Sequence, residues 1–162
     1  MYLEIIKKQF EYYKMLGEKT FEQIPVDKFF WQLASESNSI SIIVKHLHGN
    51  MLSRWTNFLT TDGEKEWRKR DAEFENQPKT RSEVMLLWEE GWACVFKAVD
   101  SLSESDLEKA VYIREIEHTV VDAINRQIAH YAYHIGQIVF IGKLVKNESW
   151  KSLSIPKAKP KN

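Results

Sequence analysis

The sequence is poor in cysteine, glycine and proline, and it has no long apolar run. Its 162 residues contain one cysteine, six glycines and four prolines. A single cysteine excludes an intrachain disulfide and favours a reducing compartment, where Cys94 is expected to be a small buried apolar residue. No run of about 18 apolar residues occurs, which excludes a membrane-spanning helix. Because the first residues also lack the pattern of a signal peptide, we predict a cytoplasmic protein without membrane contact.

Net charge is lacking as well, because 23 lysines and arginines are matched by 23 aspartates and glutamates. The last 14 residues hold four lysines and no acid, which leaves 19 basic against 23 acidic residues before them. A body with an acidic surplus is a poor nucleic-acid binder, so we predict no nucleic-acid partner. The length predicts one domain, 1–148. A basic tail, 149–162, follows it and is expected to be ordered only where Trp150, Leu153 and Ile155 dock.

A helical period is the dominant pattern in this sequence. Apolar residues recur at three- and four-residue spacing in four segments, which predicts helices over 2–22, 39–59, 80–102 and 119–146. Period-two alternation is nearly absent, and only 111–118 alternates well enough for a short extended arm or hairpin. We therefore predict an all-α fold, a four-helix bundle with long loops between helices.

The longest predicted connection, the loop 60–78, has turn residues at its start and no persistent period. Two aromatic residues, Trp67 and Phe74, lie among its charges. Structureless segments of this length inside a compact domain are usually functional or disordered. The aromatic residues predict that this loop packs over another part of the protein.

Histidine is the most informative residue type. Of five histidines, two fall in the second predicted helix, one lies just before the fourth and two lie within it: His46, His48, His118, His130 and His134. His130 and His134 are four residues apart, which places their Cβ atoms about 6 Å from each other on one helical face. That face borders the apolar arc of the helix, so both imidazoles are expected to point toward a neighbouring helix. The spacing predicts that both bind one metal ion.

The second helix is expected to supply a third ligand. Its spacing does not choose between His46 and His48, which lie on opposite flanks of the apolar stripe. The flank of His46 continues through Asn50, Ser53 and Asn57 without a charged residue. This pattern favours the wall of a cleft, although an exposed polar strip would show it too.

Other polar residues are candidates for supporting the ligands or contacting a substrate. Those nearest the predicted site are Asn50, Gln127, Tyr131 and Gln137. Arg54 projects into an apolar stripe, which indicates a structural ion pair more than a clamp for a substrate anion. His118 is expected to make local hydrogen bonds more than to shuttle protons. No Glu-x-x-His spacing occurs within the four predicted helices, which argues against a ferritin-like di-iron site.

Three stretches, together with the tail 153–156, resemble a known family over nearly the whole chain. They are Asn38-Ser-Ile-Ser-Ile-Ile-Val-Lys-His-Leu-His-Gly-Asn-Met-Leu-Ser-Arg-Trp55, Asp62-Gly-Glu-Lys-Glu-Trp-Arg-Lys-Arg-Asp71 and Arg126-Gln-Ile-Ala-His-Tyr-Ala-Tyr-His-Ile-Gly-Gln137. The likeness is to the DinB-like superfamily and, more narrowly, to its DUF1572 branch of bacterial metal-dependent proteins.

The resemblance implies a four-helix bundle, commonly dimeric, with one histidine from helix 2 and two from helix 4 on a divalent metal. On that pattern the ligands are His46, His130 and His134, and His48 is a variable neighbour. Some members of the superfamily are thiol-dependent transferases or isomerases, but nothing in this sequence identifies a thiol cofactor.

These observations predict a mononuclear metal-dependent enzyme with three histidine ligands and a fourth position open to water or substrate. Imidazole ligands suit Zn, Ni, Cu and Fe, and of these Zn or Ni is the preferred expectation. The chemistry is expected to resemble that of a hydrolase or a thiol transferase, on a small-molecule substrate and in a homodimer. The alternative is a non-catalytic dimeric helical protein with a structural metal or none, which binds a partner through loop 60–78.

Overall fold

The computed structural model describes residues 1–155, which are mainly helical. The four α-helices are α1 (Tyr2–Gln23), α2 (Ile40–Trp55), α3 (Arg81–Asp100) and α4 (Val120–Lys146). Two strands, β1 (Ala110–Ile113) and β2 (Ile116–Thr119), pair in antiparallel register just before α4, and short 3-10 turns lie in the connections. The predicted helical fold with a hairpin at 111–118 is therefore confirmed, although the hairpin means that the fold is not purely α-helical.

Three helices begin at a side chain that caps the first turn. Ser39, Thr80 and Thr119 each accept a hydrogen bond from the backbone N–H three residues further on. Such caps satisfy donors that have no partner within the helix. Thr80 and Glu83 form only part of a capping box, because the Glu83 carboxylate accepts from the backbone N–H of Lys79 and not from that of Thr80. These caps explain why α2, α3 and α4 begin close to the predicted residues.

The prediction that the second helix continues to residue 59 is wrong. The helix ends at Trp55, Thr56 is extended, and Asn57 has a left-handed backbone with φ of 52°. Asparagine tolerates this conformation better than most residues, which makes it a natural helix terminator. Asn57 therefore does not continue the polar flank of His46 and Asn50.

The core lies between the helices and is rich in aromatic side chains. α2 packs mainly against α3, and α1 mainly against α4. A Cβ atom added to Gly91 on α3 would lie 2.8 Å from Met51 Sδ and 3.4 Å from His48 Cα on α2, so glycine permits the close approach of these helices. The largest fully buried side chains include Phe10, Trp88, Trp92 and Tyr131. Cys94, expected to be buried, is only half-buried.

The hairpin is anchored to the start of loop 60–78. Its turn residues, Arg114 and Glu115, have φ of 56° and 64°, as a two-residue type I′ turn requires. Both backbone N–H groups donate to the Asp62 carboxylate, at 2.9 and 2.8 Å. Gly63 N also donates to Tyr112 O at 2.7 Å. The hairpin and the loop are therefore held together where both approach α2 and α4.

The tail docks only in part. Trp150 is half-buried beside Gly142, and Gln23 exchanges two hydrogen bonds with the backbone of Lys151. Ile155 is 89% exposed, so the expectation that it docks is wrong. The end of the predicted tail, 156–162, lies outside the described residues.

None of the helices within residues 1–155 combines the length and the apolar character that crossing a membrane requires.

Candidate metal centre

Three histidine side chains from two helices converge on one point. His130 and His134 lie one turn apart on α4, and their Nε2 atoms are 3.1 Å from each other. His46 projects from α2, and its Nε2 atom lies 3.3 Å from that of His130. One ligand atom of each residue lies within 4.8 Å of the others. Of the two candidates on α2, His46 therefore joins the pair on α4.

His48 lies on the other flank of α2. Its Nε2 atom is 3.1 Å from a carboxylate oxygen of Glu90 on α3. That contact turns the ring away from α4. The ring of His46 therefore faces the pair on α4, and the ring of His48 faces α3.

The separations between the nitrogens match those of a metal site. Zn–N bonds of about 2.0–2.1 Å at tetrahedral angles place two ligand nitrogens about 3.3 Å apart. Two of the pairs are at 3.1 and 3.3 Å. Hydrogen bonds among these rings would require Nε2 of His130 to carry the hydrogen, whereas one cation binds the lone pairs of all three nitrogens. The chemistry of this donor set therefore fits a divalent ion that accepts imidazole ligands.

The opposite ring nitrogens show which tautomers are present. His46 Nδ1 donates to Glu73 Oε2 at 2.8 Å, and His134 Nδ1 donates to Gln137 Oε1 at 2.8 Å. Because oxygen can only accept in these bonds, both Nδ1 atoms carry hydrogen and both Nε2 atoms present lone pairs. A carboxylate or carbonyl behind a histidine is the usual support of a metal ligand. Nδ1 of His130 is buried and has no hydrogen-bond partner within residues 1–155.

Burial keeps the two histidines of α4 neutral. It is the main reason that the pKa of His130 is lowered to about 3, with a smaller contribution from the neighbouring imidazole of His134. Burial also lowers the pKa of His134 to about 4, against a smaller opposing effect of the bond to Gln137. Neutral imidazole is the form that binds metal, so these two residues need no deprotonation near neutral pH.

Glu73 contacts the histidine cluster although the sequence patterns did not predict it. Burial alone would raise the pKa of this carboxyl group, but the hydrogen bonds from His46 and Arg68 outweigh it, and the pKa is lowered. Arg68 donates from Nε and Nη2 to the two carboxylate oxygens, at 2.8 and 3.0 Å. Glu73 is thus an ionised carboxylate whose two oxygens are both bound by Arg68 and which accepts a hydrogen bond from Nδ1 of His46. Glu73 belongs to no periodic pattern. The sequence feature that pointed to this part of the loop is the neighbouring aromatic residue, Phe74.

Loop 60–78 positions Glu73. Lys45 on α2 donates from Nζ to the carbonyl oxygens of Ala72, Glu75 and Asn76, at 2.5, 2.8 and 3.2 Å. The centroid of the Phe74 ring lies 5.0 Å from the centroid of the His46 ring. The prediction that the loop packs over another part of the protein is confirmed for Phe74. It is wrong for Trp67, which is 55% exposed.

The other predicted site residues lie at different depths. Gln137 supports His134, and Asn50 and Gln127 line a cavity of about 450 Å³ beside the histidines. Tyr131 is fully buried below them, where it accepts from Trp55 Nε1 and donates to Asn50 Oδ1. Tyr131 can therefore orient Asn50, but it does not line the cavity.

Arg54 and His118 are the two other residues for which the sequence left a functional and a structural role open. Arg54 is buried and pairs with Glu64 at 3.1 Å, as expected of a structural ion pair, and it also donates to the carbonyl oxygen of Gly63. It lines the cavity as well. His118 lies on β2, opposite Val111 and away from the histidine cluster.

Comparison with known proteins points to a family. A search of curated proteins and a search of solved structures found no significant match. A family model described as a protein of unknown function, DUF1572, matches residues 1–159. The match covers both helices of the histidine cluster and the loop between them, and the chain therefore belongs to the DUF1572 family.

Proposed function

We propose that this protein is a mononuclear metal-dependent enzyme in which His46, His130 and His134 hold a divalent cation. The observation that carries the proposal is the convergence of the three Nε2 atoms, at 3.1 and 3.3 Å for two of the pairs. The hydrogen-bonded Nδ1 atoms of His46 and His134 support it, because they direct lone pairs to the shared point. Zn or Ni is the proposed ion.

The proposal includes a coordination position open to the cavity. Within residues 1–155 the cluster of possible ligands contains the three histidines and no carboxylate or thiolate. Glu73 is close, but its oxygens are engaged by Nδ1 of His46 and by Arg68, on the far side of the His46 ring from Nε2. Three protein ligands with an open position are typical of catalytic sites.

The reaction class we propose is hydrolysis or a thiol-transferase-like reaction of a small molecule. A cation bound by the three histidines supplies Lewis-acid chemistry, since it lowers the pKa of water or polarises a substrate oxygen or sulfur. The chain contributes orientation: Glu73 and Gln137 fix the rings of His46 and His134. Asn50 and Gln127 offer polar groups at the cavity wall.

The proposal also places this chain in the DinB-like superfamily, as a cytoplasmic four-helix bundle that forms a homodimer. The packing of α2 on α3 and of α1 on α4 supports a bundle.

Two measurements test the function. Elemental analysis of protein purified without an affinity tag should find one equivalent of a divalent metal or less. Replacement by Co²⁺ should then give a visible spectrum that changes when azide or a thiol is added, because an open position exchanges ligands. Protein that binds no divalent metal would contradict the proposal and favour the non-catalytic alternative. A Co²⁺ spectrum unaffected by added ligands would indicate a structural metal.

A further inference from the structure

The cavity beside the histidines is strongly basic. Five arginines line it, and the described lining contains no carboxylate: Arg54, Arg68, Arg70, Arg114 and Arg126. They come from α2, from loop 60–78, from the hairpin turn and from α4. Arginines that are far apart in the sequence therefore concentrate positive charge at one cavity. The net charge of the whole chain is zero, so this concentration is local.

Only part of this charge is neutralised. Arg68 is paired with Glu73, while Arg54 and Arg114 share one carboxylate, that of Glu64. Two carboxylates are thus the ion-pair partners of three arginines.

The other two arginines have weak partners or none. Arg70 is 3.8 Å from Asp71, whose side chain is 97% exposed. Arg126 has no ion-pair partner within residues 1–155. A cleft with a surplus of one charge sign raises the local concentration of ions of the opposite sign.

Two buried polar atoms of residues that line this cavity also have no partner within the described residues. They are Nε of Arg54 and Oε1 of Gln127, on side chains that belong to residues only 6% and 4% exposed. Nearly all buried polar groups in folded proteins form hydrogen bonds, with protein atoms, water or a ligand. Beside the cavity, Nε of Arg54 therefore lacks an acceptor and Oε1 of Gln127 lacks a donor.

We propose that this cavity binds the substrate through an oxyanion group, a carboxylate or a phosphate, with Arg126 and Arg70 as its principal binding residues. Guanidinium groups bind both oxyanions through paired hydrogen bonds. This inference rests on the proposed function, because it takes the bound molecule to be the substrate of the metal centre.

The position of Arg126 adds a constraint on the size of the substrate. It precedes His130 by four residues on α4, which is one turn or about 6 Å along the helix axis. The backbone of Arg126 therefore lies one helical turn from that of His130, and both residues line the same cavity. We infer a small organic anion whose reactive group is a few bonds from its carboxylate or phosphate.

The test is a calorimetric titration of zinc-loaded protein with inorganic phosphate and, separately, with succinate. R126Q and R70Q should each weaken binding of the preferred anion by about ten-fold or more, since each removes charge-assisted hydrogen bonds. K143Q is the matched control, because it removes one positive charge from an exposed position of α4 outside the cavity lining. Circular dichroism establishes that each variant is folded, and R70Q keeps the proposal testable if R126Q is not.

The outcomes separate this inference from the metal proposal. Zinc-loaded protein that binds neither anion, or binds equally well in R126Q, R70Q and K143Q, would overturn the anion site and leave the metal site intact. Protein that fails to bind zinc but binds an anion dependent on Arg126 would support the anion site and overturn the metal proposal. The anion that binds more tightly identifies the oxyanion as carboxylate or phosphate.

Discussion

Gly49 and Glu73 are packed so closely that position 49 has no room for a side chain. A Cβ atom added to Gly49 would lie 2.8 Å from the carboxylate carbon of Glu73, and closer still to its Oε1. The carboxylate therefore occupies the space left by the missing side chain. Gly49 follows His46 by three residues on α2. Its lack of a side chain thus lets Glu73 reach the position from which it supports His46.

We expect Gly49→Ala to weaken zinc binding by about ten- to a hundred-fold, the usual effect of losing the support of a metal ligand. The added methyl group displaces Glu73, so that Nδ1 of His46 loses its acceptor and the ring its orientation. Competition with a chromophoric chelator measures the change in affinity.

Gly136→Ala is the matched control for this substitution. It lies on α4, two residues from His134, and an added Cβ atom there meets nothing within 4 Å. It should leave zinc affinity unchanged and raise the free energy of unfolding by up to about 1 kcal/mol through helix propensity. Equal zinc affinity in Gly49→Ala and wild type would show that Glu73 does not support the site.

The ligand assignment predicts a pattern of metal loss. Dialysis should remove the bound metal from each of three variants, because a site with only three imidazole ligands cannot hold the ion when one ligand is removed. These variants are His46→Ala, His130→Ala and His134→Ala. His48→Ala should retain it, since His48 contacts Glu90 on α3. Elemental analysis of the four purified variants checks this. Metal lost from His48→Ala and kept by His46→Ala would move the ligand on α2 to His48.

Zinc should raise the melting temperature, because it joins α2 to α4 only in the folded chain. At a free zinc concentration about a hundred times Kd, the stabilisation is about 2.7 kcal/mol. For a protein of this size that corresponds to about 5–10 °C. Differential scanning calorimetry with zinc and with chelator measures the shift, and Mg²⁺, which prefers oxygen ligands, is the control ion. Equal melting temperatures in protein shown to contain zinc would contradict a site that spans both helices.

Local patterns predicted the helices well because each helix is specified by nearby residues. The apolar period and the threonine caps place α3 and α4 within a few residues of their observed ends. The same period predicted that His130 and His134 share a face. It failed at the end of α2, where the backbone of Asn57 leaves the helix although the apolar spacing continues to Phe58.

The support of the site could not be predicted in the same way. Glu73 reaches His46 from a loop, and the arginines of the cavity come from four separate parts of the chain. Such positions depend on tertiary contacts, among them the three carbonyl groups held by Lys45 and the turn held by Asp62. The family resemblance chose His46 over His48, which spacing alone did not.

The chain is expected to form a homodimer of twice 19.1 kDa. Three large apolar side chains on α4 lie on one exposed face: Tyr133, Phe140 and Leu144 are 62%, 60% and 44% exposed. An exposed apolar face of this kind is typical of an interface. Phe140→Asp should therefore give a monomer in multi-angle light scattering at micromolar concentration. Leu86→Asp, at a residue of α3 that is 59% exposed, is the control and should stay dimeric. A wild-type mass near 19.1 kDa would contradict the dimer.

Acid should destabilise the metal-free protein in a window set by two histidines. In the folded chain burial lowers the pKa of His130 to about 3 and that of His134 to about 4, from 6.5. Above about pH 6.5 both states hold these rings neutral, so folding carries no cost of protonation. As the pH falls from about 6.5 toward about 4, the unfolded chain binds protons that the folded chain cannot, and the free energy of unfolding decreases. Urea unfolding in the presence of chelator should show this decrease, and the double variant His130→Gln, His134→Gln should show a smaller one. Parallel pH dependences of the two proteins would contradict the lowered pKa values.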